Sequence, residues 1–99
     1  MITAHYDHVG TRNGKIYNGA DDDASGVGAL LAIATYYKTH QPQHTLIFAA
    51  FDAEEQGLAG SKAFVEKLPV AKENILLNVN MDMLSISSAN ELYLSLIHI

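Results

Sequence analysis

Cysteine is absent from this chain of 99 residues, which excludes disulfide bonds and thiolate metal sites. Basic residues are scarce, because 6 Lys and Arg stand against 11 Asp and Glu and give a formal net charge of −5. Without a cluster of positive charge to displace counterions, the chain is not expected to bind nucleic acid. Long hydrophobic runs are also missing, since no stretch approaches the roughly 18 apolar residues of a membrane span.

The composition that remains is that of a folded domain. Apolar residues make up 48% of the chain and charged residues 17%, which is typical of a globular protein. The length is enough for one small domain but short for an α/β enzyme. Apolar runs of strand length alternate with helical stretches. The predicted strands are 1–4, 44–51, 74–83 and 91–99, the predicted helices are 24–39 and 58–68, and 9–19 is a loop with a short hairpin at 15–17.

This alternation predicts βαβ units, and therefore an α/β fold with a mostly parallel sheet. In such sheets, ligands bind beyond the carboxyl ends of the strands. Carboxylates and one imidazole gather at these ends. They are His5 and Asp7 after the first strand, Asp21 to Asp23 before the next helix, Glu54 and Glu55 after the second strand, and Asp82 at the end of the third.

The stretch from Gly19 to Gly26 places three consecutive carboxylates directly before an apolar helix. Repulsion between them requires a cation or the positive end of a helix. Asp23 or Ser25 can cap the helix. One carboxylate can therefore cap, one can point to solvent, and one is left for a metal. The simpler alternative is an acidic, well-capped helix start on the surface.

Taken together, these carboxylates predict a metal site, because so much negative charge at one edge requires cations. One imidazole with several carboxylates suits zinc, manganese or cobalt. Asp7 is spaced to accept the second imidazole proton of His5. Of the pair Glu54 and Glu55, one can bind metal while the other acts as a base beside a metal-bound water. A solvated acidic turn is the alternative for this pair.

Four motifs in order carry a resemblance to a known family. The chain resembles the co-catalytic zinc aminopeptidases of metallopeptidase family 28, which includes bacterial leucyl aminopeptidases, aminopeptidase Y and glutamate carboxypeptidase. The resemblance implies a three-layer αβα sandwich, the zinc-dependent exopeptidase or phosphorylase/hydrolase-like fold, here truncated. The matching stretches are 4–7 (AHYD), 19–26 (GADDDASG), 51–61 (FDAEEQGLAGS) and 78–83 (NVNMDM).

The resemblance also implies a role for each residue in a di-zinc site. His5 and Asp82 would bind one zinc, Glu55 the other, and Asp22 would bridge the two. Asp7 would orient His5, and the Asp22–Asp23 peptide bond would be cis. Glu54 would be the general base, which takes a proton from the attacking water and returns it to the leaving amine of the peptide substrate. The implied location is outside the cytoplasm, while the oligomeric state is left open.

The family pattern needs one further zinc ligand, a histidine far downstream of Asp82. The downstream histidine of this chain is His98, which is much closer than the pattern requires. Residues 94–99 (LSLIHI) coincide with one translated frame of a widely used transposase adapter. We therefore expect residues 1–93 to be a partial peptidase domain and 94–99 to be a non-native tail, and the chain as written to be inactive or nearly so.

Four other functions remain open from the sequence. A carboxypeptidase or a glutaminyl-cyclase-like acyltransferase would share the fold and differ in pocket loops. A magnesium-dependent phosphohydrolase would use an all-carboxylate site, which His5 disfavours. A non-catalytic domain could keep the metal cluster for structure alone, although such a site needs no free base at Glu54.

Overall fold

The structure, a computed structural model, describes residues 1–85 and 87–89. They form an α/β unit with a small parallel sheet, which confirms the predicted fold class. The predicted strand 91–99 and the proposed tail 94–99 lie outside the described residues. The elements are β1 (Ile2–His5), β2 (Gly10–Arg12), β3 (Lys15–Tyr17), α1 (Ala24–Tyr36), β4 (Phe48–Phe51), α2 (Ala59–Glu66), a short 3-10 helix (Lys72–Asn74) and β5 (Val79–Asn80).

The main sheet has β1 at its centre, in the order β4-β1-β5, with both neighbours parallel to it. Ile2 pairs with Phe48 on one side and with Val79 on the other. The residues that follow the three strands therefore come out at the same edge of the sheet, as predicted. β2 and β3 form a separate antiparallel hairpin, which includes the hairpin segment predicted at 15–17.

β4 and β5 begin later than the sequence predicted. The expected strands 44–51 and 74–83 reduce to Phe48–Phe51 and Val79–Asn80. Both strands pair with β1, and the paired residues begin at Ile2 opposite Phe48 on one side and opposite Val79 on the other. Helix α1 also ends before the predicted Thr39, because Lys38 and Thr39 donate to carbonyls three residues back and tighten the last turn into 3-10 geometry.

The core lies between α1 and the sheet. Its fully buried apolar members are Ala4, Leu30 and Met81. Helix α2 begins at Ala59 rather than at the predicted Leu58, and Phe64 of this helix packs against Phe51 at the end of β4. Within the described part of the chain, no helix is both long and apolar enough to cross a membrane.

Candidate metal centre

His5, Asp22 and Asp82 converge at the carboxyl edge of the sheet. The ring of His5 is 4% exposed at the end of β1, and its Nε2 lies 3.0 Å from Oδ1 of Asp22 and 3.8 Å from Oδ1 of Asp82. One donor atom from each of the three residues fits within 4.8 Å of the others. Asp22 comes from the turn before α1 and Asp82 lies two residues after the end of β5, so three separate segments supply this group. One nitrogen and two carboxylate oxygens form a donor set that suits zinc.

Glu54 and Glu55 lie in the turn between β4 and α2, at the same edge of the sheet. The amides of Gly57 and Leu58 both donate to the Glu54 carbonyl at 2.9 Å and close this turn. Glu55 is outside the group formed by His5, Asp22 and Asp82. Burial raises the pKa of the Glu55 carboxyl, and the charges of Asp22 and Glu54 raise it further. Both carboxylates thus stand near the three-residue group without being part of it.

Among the residues that the structure describes, two buried polar atoms at this edge lack a hydrogen-bond partner. They are Nε2 of His5 and Oε1 of Glu55. Buried polar atoms are normally satisfied, and an orphaned one points to an ion or water that completes the site. Divalent cations at this edge would satisfy these atoms and neutralise the surrounding carboxylates. The residues present therefore fit the metal that their chemistry predicts.

The acidic environment also acts on the His5 imidazole. Burial lowers its pKa, but the surrounding carboxylates of Asp23, Asp82, Glu54 and Asp22 outweigh burial, and the net effect is a raised pKa. A site that stabilises a proton on this ring also favours a metal cation in the same field. Because the metal needs the neutral imidazole, protons and metal compete for His5.

Asp7 contacts both His5 and the Glu54–Glu55 turn. Its carbonyl oxygen lies 3.1 Å from Nδ1 of His5, whereas its carboxylate oxygen Oδ1 lies 3.4 Å from the same nitrogen. The carboxylate accepts hydrogen bonds from the Glu54 amide at 2.9 Å and the Glu55 amide at 3.2 Å. Burial works against ionisation here, but these two amides outweigh it and hold the pKa of the Asp7 carboxyl below its usual range.

Asp23 is buried and ties together the segments that carry the three-residue group. Its side chain is 1% exposed and caps α1 by accepting from the Gly26 amide at 3.0 Å. It also accepts from the amide of His5 at 3.3 Å and of Met83 at 3.2 Å. Burial raises the pKa of this carboxyl despite the three amide donors. The peptide bond between Asp22 and Asp23 is cis, as expected from the resemblance.

Asp21 has a structural contact that the sequence did not indicate. The sequence allowed one of the three adjacent aspartates to point to solvent, and the exposed carboxylate of Asp21 also has partners in the structure. The Asp21 carboxylate accepts from the Ser85 hydroxyl at 2.7 Å and the Ser85 amide at 3.0 Å. These bonds hold the pKa of Asp21 below its usual range. Ser25 adds a second tie by accepting from the Leu84 amide at 2.9 Å.

The sequence located the side chains at this edge but missed how they are held there. The carboxylates of Asp7, Asp21 and Asp23 all accept from main-chain amides, and Asp21 also accepts from the Ser85 hydroxyl. Such contacts have no signature in residue types or spacing, apart from the capping signal that named Asp23. His8, in contrast, bonds the Tyr17 carbonyl at 2.9 Å in the exposed hairpin and takes no part in the centre.

Comparison with known proteins gives the family of this chain. Residues 1–97 match the family model described as Peptidase family M28. The chain belongs to peptidase family M28. This confirms the family named from the four motifs. No solved structure matches the M28 chain.

Curated relatives of the M28 chain are named as proteases and aminopeptidases. A "Probable zinc metalloprotease" of Pyrenophora tritici-repentis is 38% identical over 73 residues, which cover 74% of this chain and 17% of the relative. A "Vacuolar membrane protease" of Eremothecium gossypii is 44% identical over 73 residues, or 74% of this chain and 7% of the relative. "Aminopeptidase YwaD" of Bacillus subtilis is 36% identical over 97 residues, or 95% of this chain and 20% of the relative. The M28 chain thus spans a fifth or less of these three relatives.

Proposed function

We propose that this chain contributes the larger part of a di-zinc centre to an aminopeptidase that hydrolyses N-terminal peptide bonds. The observation that carries the proposal is the meeting of His5, Asp22 and Asp82 within 4.8 Å, with Glu54 and Glu55 at the same edge of the sheet. A single structural ion would need the three-residue group alone. The additional pair of glutamates gives the site a free base as well as a further ligand.

The proposed ligands divide between two zinc ions. His5 and Asp82 would hold one ion, Glu55 would hold the other, and Asp22 would serve both. The orphaned atoms His5 Nε2 and Glu55 Oε1 support this division, since each ion would satisfy one of them. When bound, zinc supplies a water of lowered pKa and polarises the scissile carbonyl.

The proton transfers fall to Glu54. Its carboxylate receives the proton of the attacking water and then delivers it to the nitrogen of the leaving amine, which breaks the peptide bond. Asp7 holds the amide of this same residue, so the base is carried on a fixed main chain. A carboxylate held next to the reacting atoms avoids the entropy of finding them.

The complete domain is proposed to be a three-layer αβα sandwich with a mostly parallel sheet, to which this chain contributes β1, β4, β5 and α1. The remaining zinc ligand, a histidine partner of Glu55, is proposed to come from sequence outside this chain. Accordingly, the 99-residue chain should bind zinc at His5, Asp22 and Asp82 but show little or no peptidase turnover.

The test compares Glu54→Gln with Glu66→Gln in the protein encoded by the uninterrupted gene, using amino acid p-nitroanilides as substrates. Glu66 is an exposed residue of α2 and serves as the matched control. Glu54→Gln should lower kcat by at least about a hundredfold, the lower range for loss of a general base, with zinc content unchanged. Equal activity of the two variants would show that Glu54 is not the base.

The same preparation separates the other functions of this fold. Release of C-terminal residues would indicate a carboxypeptidase, and cyclisation of N-terminal glutamine peptides an acyltransferase. Hydrolysis of phosphate esters that depends on magnesium and ignores a zinc chelator would indicate a phosphohydrolase. Stoichiometric zinc without any turnover would indicate a non-catalytic domain. Each of these results would replace the aminopeptidase proposal.

A further inference from the structure

The Asp7 carboxylate and the Asp7 carbonyl contact different partners. The carbonyl is the nearer acceptor for Nδ1 of His5, at 3.1 Å against 3.4 Å for the carboxylate. The carboxylate is engaged elsewhere, since each of its oxygens accepts one amide from the Glu54–Glu55 turn. A carboxylate with an amide on each oxygen is a strong, charge-assisted acceptor.

We infer that the Asp7 carboxylate is a positioning residue for the Glu54–Glu55 turn, while the Asp7 main-chain carbonyl orients the His5 ring. The resemblance assigned the carboxylate to the imidazole. In the structure, the Asp7 carbonyl is the nearer acceptor for Nδ1, so it can keep the proton on Nδ1 without that side chain and leave Nε2 free toward Asp22 and Asp82.

The consequence is a link between the two halves of the centre. Asp7 lies two residues after His5, and its carboxylate reaches across from β1 to the turn that follows β4. The turn has other bonds, most of them within residues 52–62, and Tyr6 next to His5 also bonds the Asp52 side chain. Asp7 adds direct bonds to the amides of Glu54 and Glu55 themselves, and these bonds help to set where the two residues stand relative to His5. The significance for catalysis depends on the proposed function, but the contacts themselves do not.

The experiment is NMR on the metal-free 99-residue chain, which needs neither zinc nor substrate. In the unsubstituted chain, a scalar coupling across the hydrogen bond should connect the Glu54 amide nitrogen with Cγ of Asp7. In Asp7→Asn, one amide loses its acceptor, and hydrogen exchange at Glu54 and Glu55 should accelerate by about tenfold or more, relative to amides of α1. The His5 ring nitrogens should keep the spectrum of the Nδ1–H tautomer.

Asp52→Asn is the matched control, because Asp52 is exposed in the same turn and its side chain accepts from the adjacent Ala53 amide. This variant should leave exchange at Glu54 and Glu55 unchanged. Loss of the Nδ1–H tautomer in Asp7→Asn would overturn the inference, as would protected Glu54 and Glu55 amides in that variant. Absence of the coupling in the unsubstituted chain would overturn it even if Asp7→Asn failed to fold. A chain that shows the expected spectra but no peptidase activity would refute the proposed function and leave this inference standing.

Discussion

Nε2 of His5 lies 3.0 Å from Oδ1 of Asp22, although His5 ends β1 and Asp22 lies in the turn before α1. This distance is shorter than the 3.8 Å between the same nitrogen and Oδ1 of Asp82, the third residue of the group. Since the ring donates through Nδ1 to the Asp7 carbonyl, its neutral form directs a lone pair toward both carboxylates. That arrangement is suited to a cation and predicts how the chain responds to pH, metal and substitution.

Zinc binding to the chain should weaken as pH falls, because protons compete for His5. The pKa of His5 is raised, since the carboxylates around it outweigh burial, so zinc must displace a proton more often than it would at an ordinary imidazole at the same pH. In the metal-free chain, low pH has the opposite effect, because protonation of His5 stabilises the folded state. Stability from the protonated ring is fully present below the unfolded pKa of about 6.5 and is lost as pH rises through the folded value. Calorimetry in two buffers of different ionisation enthalpy will count the protons released, and a count that does not increase as the pH is lowered toward 6.5 would contradict the prediction.

Asp22→Ala should lower zinc affinity by at least about tenfold, since even outer partners of metal ligands contribute this much. The substitution also removes the carboxylate that lies nearest to Nε2 of His5. Competition with a chromophoric chelator measures the change, and Asp52→Ala is the control because Asp52 lies at the same edge but outside the group. Equal losses in the two variants would mean that general negative charge, rather than ligation, attracts the metal.

Asp23→Ala should destabilise the chain by on the order of 3 kcal/mol, because three main-chain donors lose one buried acceptor. Asp23→Asn should cost less, since an amide oxygen can still accept from Gly26 and Met83. Urea unfolding gives both values. If the alanine variant were as stable as the parent chain, Asp23 could not be the residue that holds β1, α1 and the segment after β5 together.

Two glycines of α1 should respond in opposite directions to substitution by alanine. A Cβ at Gly26 would stand 2.5 Å from both Asp23 carboxylate oxygens and from the Met81 carbonyl, whereas a Cβ at Gly28 would meet nothing within 4 Å. Gly26→Ala should therefore destabilise the chain by about 1–3 kcal/mol through overpacking. Gly28→Ala should stabilise it by up to about 1 kcal/mol through helix propensity. Thermal unfolding of the pair decides, and a gain in both would show that the Asp23 contacts can yield at no cost.

The positions of the functional side chains were predictable from the sequence because parallel strands end at a common edge. His5, Glu54, Glu55 and Asp82 follow from that rule alone. The extents of β4 and β5 were not predictable, since they depend on where β1 starts rather than on their own apolar residues. The reach of Asp7 to the turn after β4 was equally hidden, because its partners are amides that every residue except proline carries.

The aspartates around this centre are held by backbone amides, which limits which residues can stand at the donor positions. Glu55, Met83 and Ser85 are held through their amide nitrogens, by Asp7, Asp23 and Asp21 respectively. Met83 itself is 57% exposed, and the brace makes no use of its side chain. At Met83, many side chains can therefore replace methionine without loosening this brace, whereas proline is forbidden because it has no N–H and β-branched residues are disfavoured by the positive φ of 52°. A few acidic residues thus set the geometry of the metal centre, and they do so by accepting hydrogen bonds from main-chain amides.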